Sequence, residues 1–456
     1  MKDLTSGNIS KNLLRFAIPT IIASIVARSY SIVDKMMLGK IVGEGGLAAS
    51  AATGGFINTI TSIFWGISLG ITLHIAFLIS SGDKTRTSRA IKSNAVVVVV
   101  LAALLSLGAI LLWRPIFRML SVPEDIFEEA RKYYTVYFSA FFCYQFNACM
   151  RATYIAFGNS SFPMRLSLMT GAGNVLFNYL FIAVFELGVS GAAYATALMN
   201  AIASFCYILG MRREFRRIGI AKERFHFEPR QVAKVWKMAV PCIIQQFIMT
   251  GAGALISPRI NALGSASIAA YSIFEQSFAI TAMMFQSSSA GLSSFAAQCC
   301  GKGEVRKIRT GFFVSLRQSL LFALPVMLLL LIFPQILPLL FLRGDSQETA
   351  FVVIRCVYIC VPFMTFSLLN NLLHNFYRGV MMPKINSITS FFYSAAIVIS
   401  AYTMIPHFGI YGVFYAYNVA WVTEFIACLS IYLSRKWKGK AYREAEQKAQ
   451  LQETAI

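Results

Sequence analysis

The stretch NAVVVVVLAALLSLGAILLW, residues 94–113, decides the fold class. It runs for twenty residues without a charged side chain. An α-helix of about 20 mostly apolar residues is long enough to cross the hydrocarbon of a bilayer. Eleven further stretches read the same way: 13–33, 47–80, 133–157, 166–185, 190–210, 235–258, 265–300, 315–341, 353–377, 385–405 and 411–434. Twelve spans in 456 residues leave room for helices and short loops, with little over for a soluble domain. The runs are longer than barrel strands and lack a period-two alternation. The expected fold is an all-α polytopic membrane protein.

Composition agrees. The chain is 57% hydrophobic and 13% charged, against about 25% charged in an ordinary soluble protein. That excludes a cytosolic enzyme, a nucleic-acid-binding domain and a disordered chain. The first apolar run is too long for a cleaved signal and contains Pro19, Arg28 and Asp34. All nine cysteines fall inside expected helices and read as packing residues, not as disulfides or a metal site. No G-x-x-x-x-G-K-[ST] phosphate loop and no H-E-x-x-H zinc motif occurs. No enzymatic activity and no cofactor are expected, and a transporter built this way would be driven by an ion gradient.

The net charge of +21 is concentrated in loops. Basic residues crowd 212–237, 84–92, 302–309 and 435–448, whereas the loops near 186 and 407 carry no Lys or Arg. Basic loops stay on the cytoplasmic side, which places both termini in the cytoplasm. The charge is also suited to anionic lipid, and no nucleic-acid partner is expected.

The chain is also written twice. An offset of 221 residues relates Gly70 to Gly291, Gly82 to Gly303, Gly158 to Gly379, Gly188 to Gly409 and Gly191 to Gly412. Pro19 and Pro241 correspond with one residue of slack. Each half holds six spans, an even number, so both halves have the same orientation. They are expected to be two six-helix lobes related by a pseudo-two-fold along the membrane normal. The expected boundaries are an N-terminal lobe at 1–210, a basic cytoplasmic linker at 211–234, a C-terminal lobe at 235–434 and a basic tail at 435–456. Pro19 and Pro241 interrupt the first helix of each lobe, which makes them candidate hinges.

Several segments resemble the multidrug and toxic compound extrusion (MATE) transporters. They are LLRFAIP at 13–19, YSIVDKMMLG at 30–39, GLAASAA from Gly46 and GVSGAAYAT at 188–196. In the second half, KMAVPCIIQQ at 237–246, SIAAYSI at 267–273 and FYRGVMMP at 376–383 complete the pattern. The resemblance covers essentially the whole chain. It implies a secondary antiporter that exports amphipathic organic cations by alternating access, in exchange for protons or sodium. It further implies a monomer in the plasma (inner) membrane. Two alternatives are a lipid-linked precursor flippase of a related superfamily and a non-transporting membrane receptor or scaffold.

Intramembrane acids need a reason, because burying their charge is expensive. Three stand out: Asp34, Glu275 and Glu424. Read from the residues alone, Asp34 is an interfacial acid beside Lys35. The resemblance instead makes it the ion-coupling aspartate of helix 1, with Tyr30, Asn174, Asn178 and Thr196 around it. Those oxygens could also hold sodium. Many relatives carry Asp at the position of Asn178, so Asp34 would be the sole acid of its lobe. Glu275 and Glu424 have no counterpart in the first half, where Gly54 and Ala203 stand. They are candidates for the substrate cavity, with Phe278, Met283 and Met284 as pliable walls that suit organic cations.

Overall fold

The computed structural model describes residues 4–42, 44–120, 122, 124–219, 225–263, 265–341 and 347–454. Every regular element among them is helical. The first half comprises α1 (Ile9–Met37), α2 (Glu44–Ser80), α3 (Lys84–Leu111), α4 (Trp113–Met119), α5 (Phe127–Ser139), α6 (Phe141–Ala156), α7 (Ser161–Tyr179) and α8 (Gly188–Ile218). The second comprises α9 (Pro229–Asn261), α10 (Ser265–Lys302), α11 (Arg306–Ile332), α12 (Ile336–Phe341), α13 (Gln347–Cys360), α14 (Met364–Gly379), α15 (Lys384–Phe408) and α16 (Ile410–Leu433). A polar helix, α17 (Lys440–Thr454), follows.

The duplication is visible in this order. In each half three long helices are followed by a short one, then by a broken pair, then by two long helices. The repeated glycines adopt matching backbones: φ is +82° at Gly82 and +84° at Gly303, and +56° at both Gly188 and Gly409. These are left-handed turns that a side chain would strain.

Nine described helices are long and apolar enough to cross a membrane, or ten if α13 and α14 count as one span bent by 53°. Two of the expected twelve spans are not counted among the described residues. The stretch 133–157 is split at Ala140 into α5 and α6. The 38-residue α10, with Glu275 inside it, is not among the nine. Pro362 accounts for the second bend, since it cannot supply the helical N–H. Nothing in the structure explains the break at Ala140.

The helices are apolar on the outside. On α3, Val100, Leu104, Leu107 and Leu111 form an exposed stripe at helical spacing, with Leu111 70% exposed. Thr87, Ser88, Ser93 and Asn94 of the same helix are buried. An exposed hydrophobic stripe over a polar interior suits lipid as the surrounding solvent.

The chain divides into two compact units. One is built from Ile22–Ala239, the other from Leu4–Ile21 together with Val240–Ile456. The dividing points fall within α1 just after Pro19 and within α9 just before Pro241. In the first unit, a Cβ on Gly70 of α2 would lie 2.7 Å from the Val235 carbonyl of α9. In the second, a Cβ on Gly291 of α10 would lie 2.9 Å from the Phe16 ring of α1. The repeated glycine therefore lets a first-helix segment approach closely in both units.

Among its described residues, most of the basic linker is helical. Helix α8 continues to Ile218 and ends at Gly219 (φ +70°), and α9 starts at Pro229. In the first unit, the Glu228 N–H donates to Ser93 Oγ at 2.9 Å, and Gln231 bonds His74 at 2.8 Å. In the second unit, the Leu4 N–H donates to Gln298 and Lys302 donates to Thr5. The core of that unit includes Phe274, Phe285, Phe414 and Trp421 together with Val353 and Val413.

Candidate functional site

In the first unit, Asp34 of α1 meets α7 through amides. Asn178 Nδ2 donates to Asp34 Oδ1 at 2.7 Å and to Asn174 Oδ1 at 3.1 Å. Asn174 Nδ2 donates to Thr196 Oγ1 at 3.1 Å, and that hydroxyl donates to the Ala192 carbonyl at 2.8 Å. Four of the five expected ion-site residues therefore form one hydrogen-bonded ladder across α1, α7 and α8. The side chain of Tyr30 lies outside the described residues. Asn174 and Asn178 are buried, Asn178 completely, whereas Asp34 is half-buried.

The local chain makes this ladder possible. Helices α1 and α7 each end in a π-helical turn, Leu38–Val42 and Leu180–Val184, directly after Asp34 and Asn178. Such turns occur often at functional sites because they re-aim the side chains around them. Leu38, Ile182, Val189 and Ala192 pack beside the ladder, with Tyr133 against them. Tyr133 also lies within electrostatic reach of Asp34.

Asn178 Oδ1 is buried and has no hydrogen-bond partner among the described residues. A lone buried acceptor costs about 1–3 kcal/mol. Turning the amide over would bring that oxygen towards Asp34 Oδ1 and Asn174 Oδ1. Three oxygens would then converge and repel each other unless a proton or a cation lay among them. With the amide turned over, these oxygens could hold a small positive ion.

Asn174 and Thr196 also line a cavity of about 260 Å³ in the first unit, together with Asn147, Asn200 and Arg151. Asn147 donates to Asn200 Oδ1 at 3.0 Å, and Ser204 donates to Asn147 at 2.9 Å. Sequence reasoning missed these residues, although Thr196, Asn200 and Ser204 are spaced i, i+4, i+8 along an otherwise apolar helix.

The substrate-cavity candidates in the second unit fall into two groups. Glu275 is exposed on α10 and accepts a hydrogen bond from Tyr271 at 2.9 Å. The Tyr271 and Tyr417 hydroxyls are 2.8 Å apart. Phe278 stacks on Trp421 with ring centroids 5.3 Å apart, and Tyr417 lies 5.7 Å from the same indole. Glu275 thus stands beside a run of aromatic faces, which suits an organic cation. Met283 and Met284 are half-buried about two turns further along α10. Glu424, by contrast, is only 4% exposed. It accepts from Asn370 Nδ2 at 3.1 Å and from Ser390 Oγ at 3.4 Å. Tyr393 lies within electrostatic reach of both carboxylates. Pro19 and Pro241 lie inside α1 and α9 as expected.

Comparison with known proteins places the chain in a family. The chain is 25% identical over 309 residues to the "Probable multidrug resistance protein YpnP" of Bacillus subtilis, covering 67% of this chain and 68% of that protein. It is 24% identical over 380 residues to the "FAD transporter" of Shewanella oneidensis, covering 78% and 81%. The Vibrio cholerae MATE transporter VcmN in its bent form superposes with a TM-score of 0.85 at 19% identity, covering 97% of this chain and 98% of that one. The MatE family pattern matches residues 19–180 and 241–403, one match in each half. The chain therefore belongs to the MatE family of membrane transporters.

Proposed function

We propose that this protein is a secondary antiporter of the plasma membrane, with both termini cytoplasmic, that exports amphipathic organic cations by alternating access. The coupling ion, a proton or sodium, binds at Asp34 with the amides of Asn174 and Asn178 and the hydroxyl of Thr196. The observation that carries this reading is the buried, unpartnered oxygen of Asn178 next to the Asp34 carboxylate. An ion there favours one arrangement of α1, and cargo favours another; coupling requires that difference in affinity. Glu275 with Tyr271, Tyr417 and Phe278 is the proposed contact for the cargo's positive charge. Pro19 and Pro241 are the proposed points of bending. The protein works as a monomer and needs no cofactor.

A second reading of the cargo is an organic anion held in the first-unit cavity. It is favoured by Arg151 in the lining and by the Shewanella relative, an FAD transporter.

Efflux from proteoliposomes under separately imposed proton and sodium gradients, with one cationic and one anionic fluorescent cargo, tests both readings. Uphill movement of the cation under one gradient supports antiport at Asp34, provided Asp34→Asn abolishes it. Uphill movement of the anion alone favours the second reading. Equal uphill export by wild type and Asp34→Asn removes Asp34 from the mechanism.

A further inference from the structure

The last long helix of each unit ends differently. In the first, α8 starts at Gly188 and continues unbroken to Ile218. In the second, α16 starts beside the matching Gly409 but stops at Leu433. The chain then turns at Arg435, whose φ of +57° is a left-handed conformation that costs energy for a residue with a side chain. Trp437 pins the turn. It is buried, and its indole Nε1 donates to the Tyr432 carbonyl at 3.0 Å. Its ring meets those of Phe376, Tyr432 and Tyr442, with centroids 4.8, 6.0 and 5.0 Å away. Helix α17 is thereby held against α10, with Tyr442 and Ala445 buried.

The turn and the start of α17 frame an open cleft of about 500 Å³. Lys436, Lys438, Lys440 and Arg443 line it, with Glu444 and Met382. Residues 435–447 hold five basic side chains and two acids, so positive charge is left over. Lys438 is taken up by Glu446 at 2.9 Å. Lys440 lies 3.8 Å from Glu444 with 91% of its side chain exposed, and such a pair contributes little. Lys436 has no ion pair among the described residues. Arg443 Nε donates to the Lys438 carbonyl at 2.9 Å. That bond sets the plane of the guanidinium and leaves its two terminal nitrogens without a protein partner among the described residues. A guanidinium held in this way suits two phosphate oxygens at once.

The place of the cleft identifies the anion. Helix α16 is apolar enough to span a membrane, and Leu433 at its end is 69% exposed, as a lipid-facing residue is. Lys436 follows three residues later. The cleft therefore sits at the depth of the lipid headgroups, where phosphodiesters are the abundant anions. Basic clusters directly beside a membrane helix attract anionic lipid. We propose that this cleft binds the phosphate of one anionic phospholipid, with Arg443 and Lys436 as its main contacts and Lys440 beside them. The acyl chains lie along the exposed end of α16. The bound lipid fastens α17 to the bilayer and steadies its packing on α10.

The inference rests on the membrane reading of α16. It does not depend on the Asp34 assignment, on the coupling ion or on which side of the membrane the tail faces.

The test is native mass spectrometry of the full chain from detergent micelles doped with dioleoylphosphatidylglycerol or dioleoylphosphatidylcholine, which requires no transport. Wild type should hold one phosphatidylglycerol more tightly than phosphatidylcholine. The double variant Lys436→Gln, Arg443→Gln should bind that lipid about tenfold or more weakly. The control variant Arg212→Gln, Arg213→Gln removes two charges from α8 and should bind it as wild type does. All four side chains are exposed, so neither variant disturbs a core. Equal weakening in the two variants would mean that any surface charge attracts the lipid, and would overturn the cleft. Unchanged binding in the first variant, or equal binding of the two lipids by wild type, overturns it as well. Soluble glycerol phosphate is the remaining probe and should bind much more weakly than the lipid. Binding as tight as the lipid's would make the cleft a site for free phosphate and overturn the lipid assignment.

Discussion

The two units share a scaffold but not a chemistry. In the first, Asp34 is half-buried, is held by an amide, and has an unpartnered amide oxygen beside it. In the second, Glu424 is buried and accepts from Asn370 and Ser390, with His374 Nε2 3.5 Å away. The position of Glu424 in the first unit is Ala203, and the position of Arg378 is Phe157. The matching glycine turns and helix order were kept by both halves, while the ionisable groups were placed independently. Packing constrains the backbone everywhere, whereas function needs a charge only where an ion or cargo must be bound.

The largest expected effect separates the two units functionally. Asp34→Asn should lower ion-driven export by about tenfold or more, the scale of a typical coupling free energy, while leaving the folded protein monodisperse. Proteoliposome efflux checks it, and full activity would mean that the first-unit ladder is only structural.

Next come the repeated glycines. A Cβ on Gly412 would meet the Met404 carbonyl carbon and oxygen at 2.6 Å, and one on Gly191 would meet the Phe181 carbonyl carbon at 2.9 Å. Backbone cannot move aside as a flexible side chain can. Gly412→Val and Gly191→Val should each destabilise by about 1–3 kcal/mol, with the Gly412 variant showing the lower melting temperature in detergent. The reverse order would mean that the two halves are not packed as alike as their glycines indicate.

Glu275→Gln should weaken binding of a cationic cargo by about tenfold and leave an uncharged analogue unaffected. Tryptophan quenching measures both. Equal losses for the two cargoes would show that Glu275 acts through packing. The smallest effect belongs to Tyr271→Phe, which removes the hydroxyl between Glu275 and Tyr417. It should cost about threefold in cation affinity, the scale of one hydrogen bond.

Much of this was legible in the sequence. Residues 94–113 alone indicate a membrane helix, and the 221-residue offset implies duplicated halves. The i, i+4 pair Asn174 and Asn178 places two amides on one face, and the structure joins them to Asp34. The break at Ala140 was not legible, because no proline or glycine marks it. Nor was the separation of Glu275 from Glu424. Both read as acids deep in helices, and hydropathy says nothing about which way a helix turns each of them. The partners of Glu424 come from α14 and α15, at sequence distances of 54, 50 and 34 residues, so only tertiary structure brings them together. Folded, Asn370 donates to Glu424 and Gln245 reaches it through His374 and Ser390.

The measurement that bears most directly on the central claim is ion release on cargo binding. A purified sample in weakly buffered solution, with a proton dye and a sodium electrode, receives a saturating amount of cationic cargo. Wild type should release one coupling ion per cargo bound, and Asp34→Asn should bind cargo and release none. Release of the same ion in the same amount by both proteins would contradict the assignment of Asp34 as the place where ion and cargo compete.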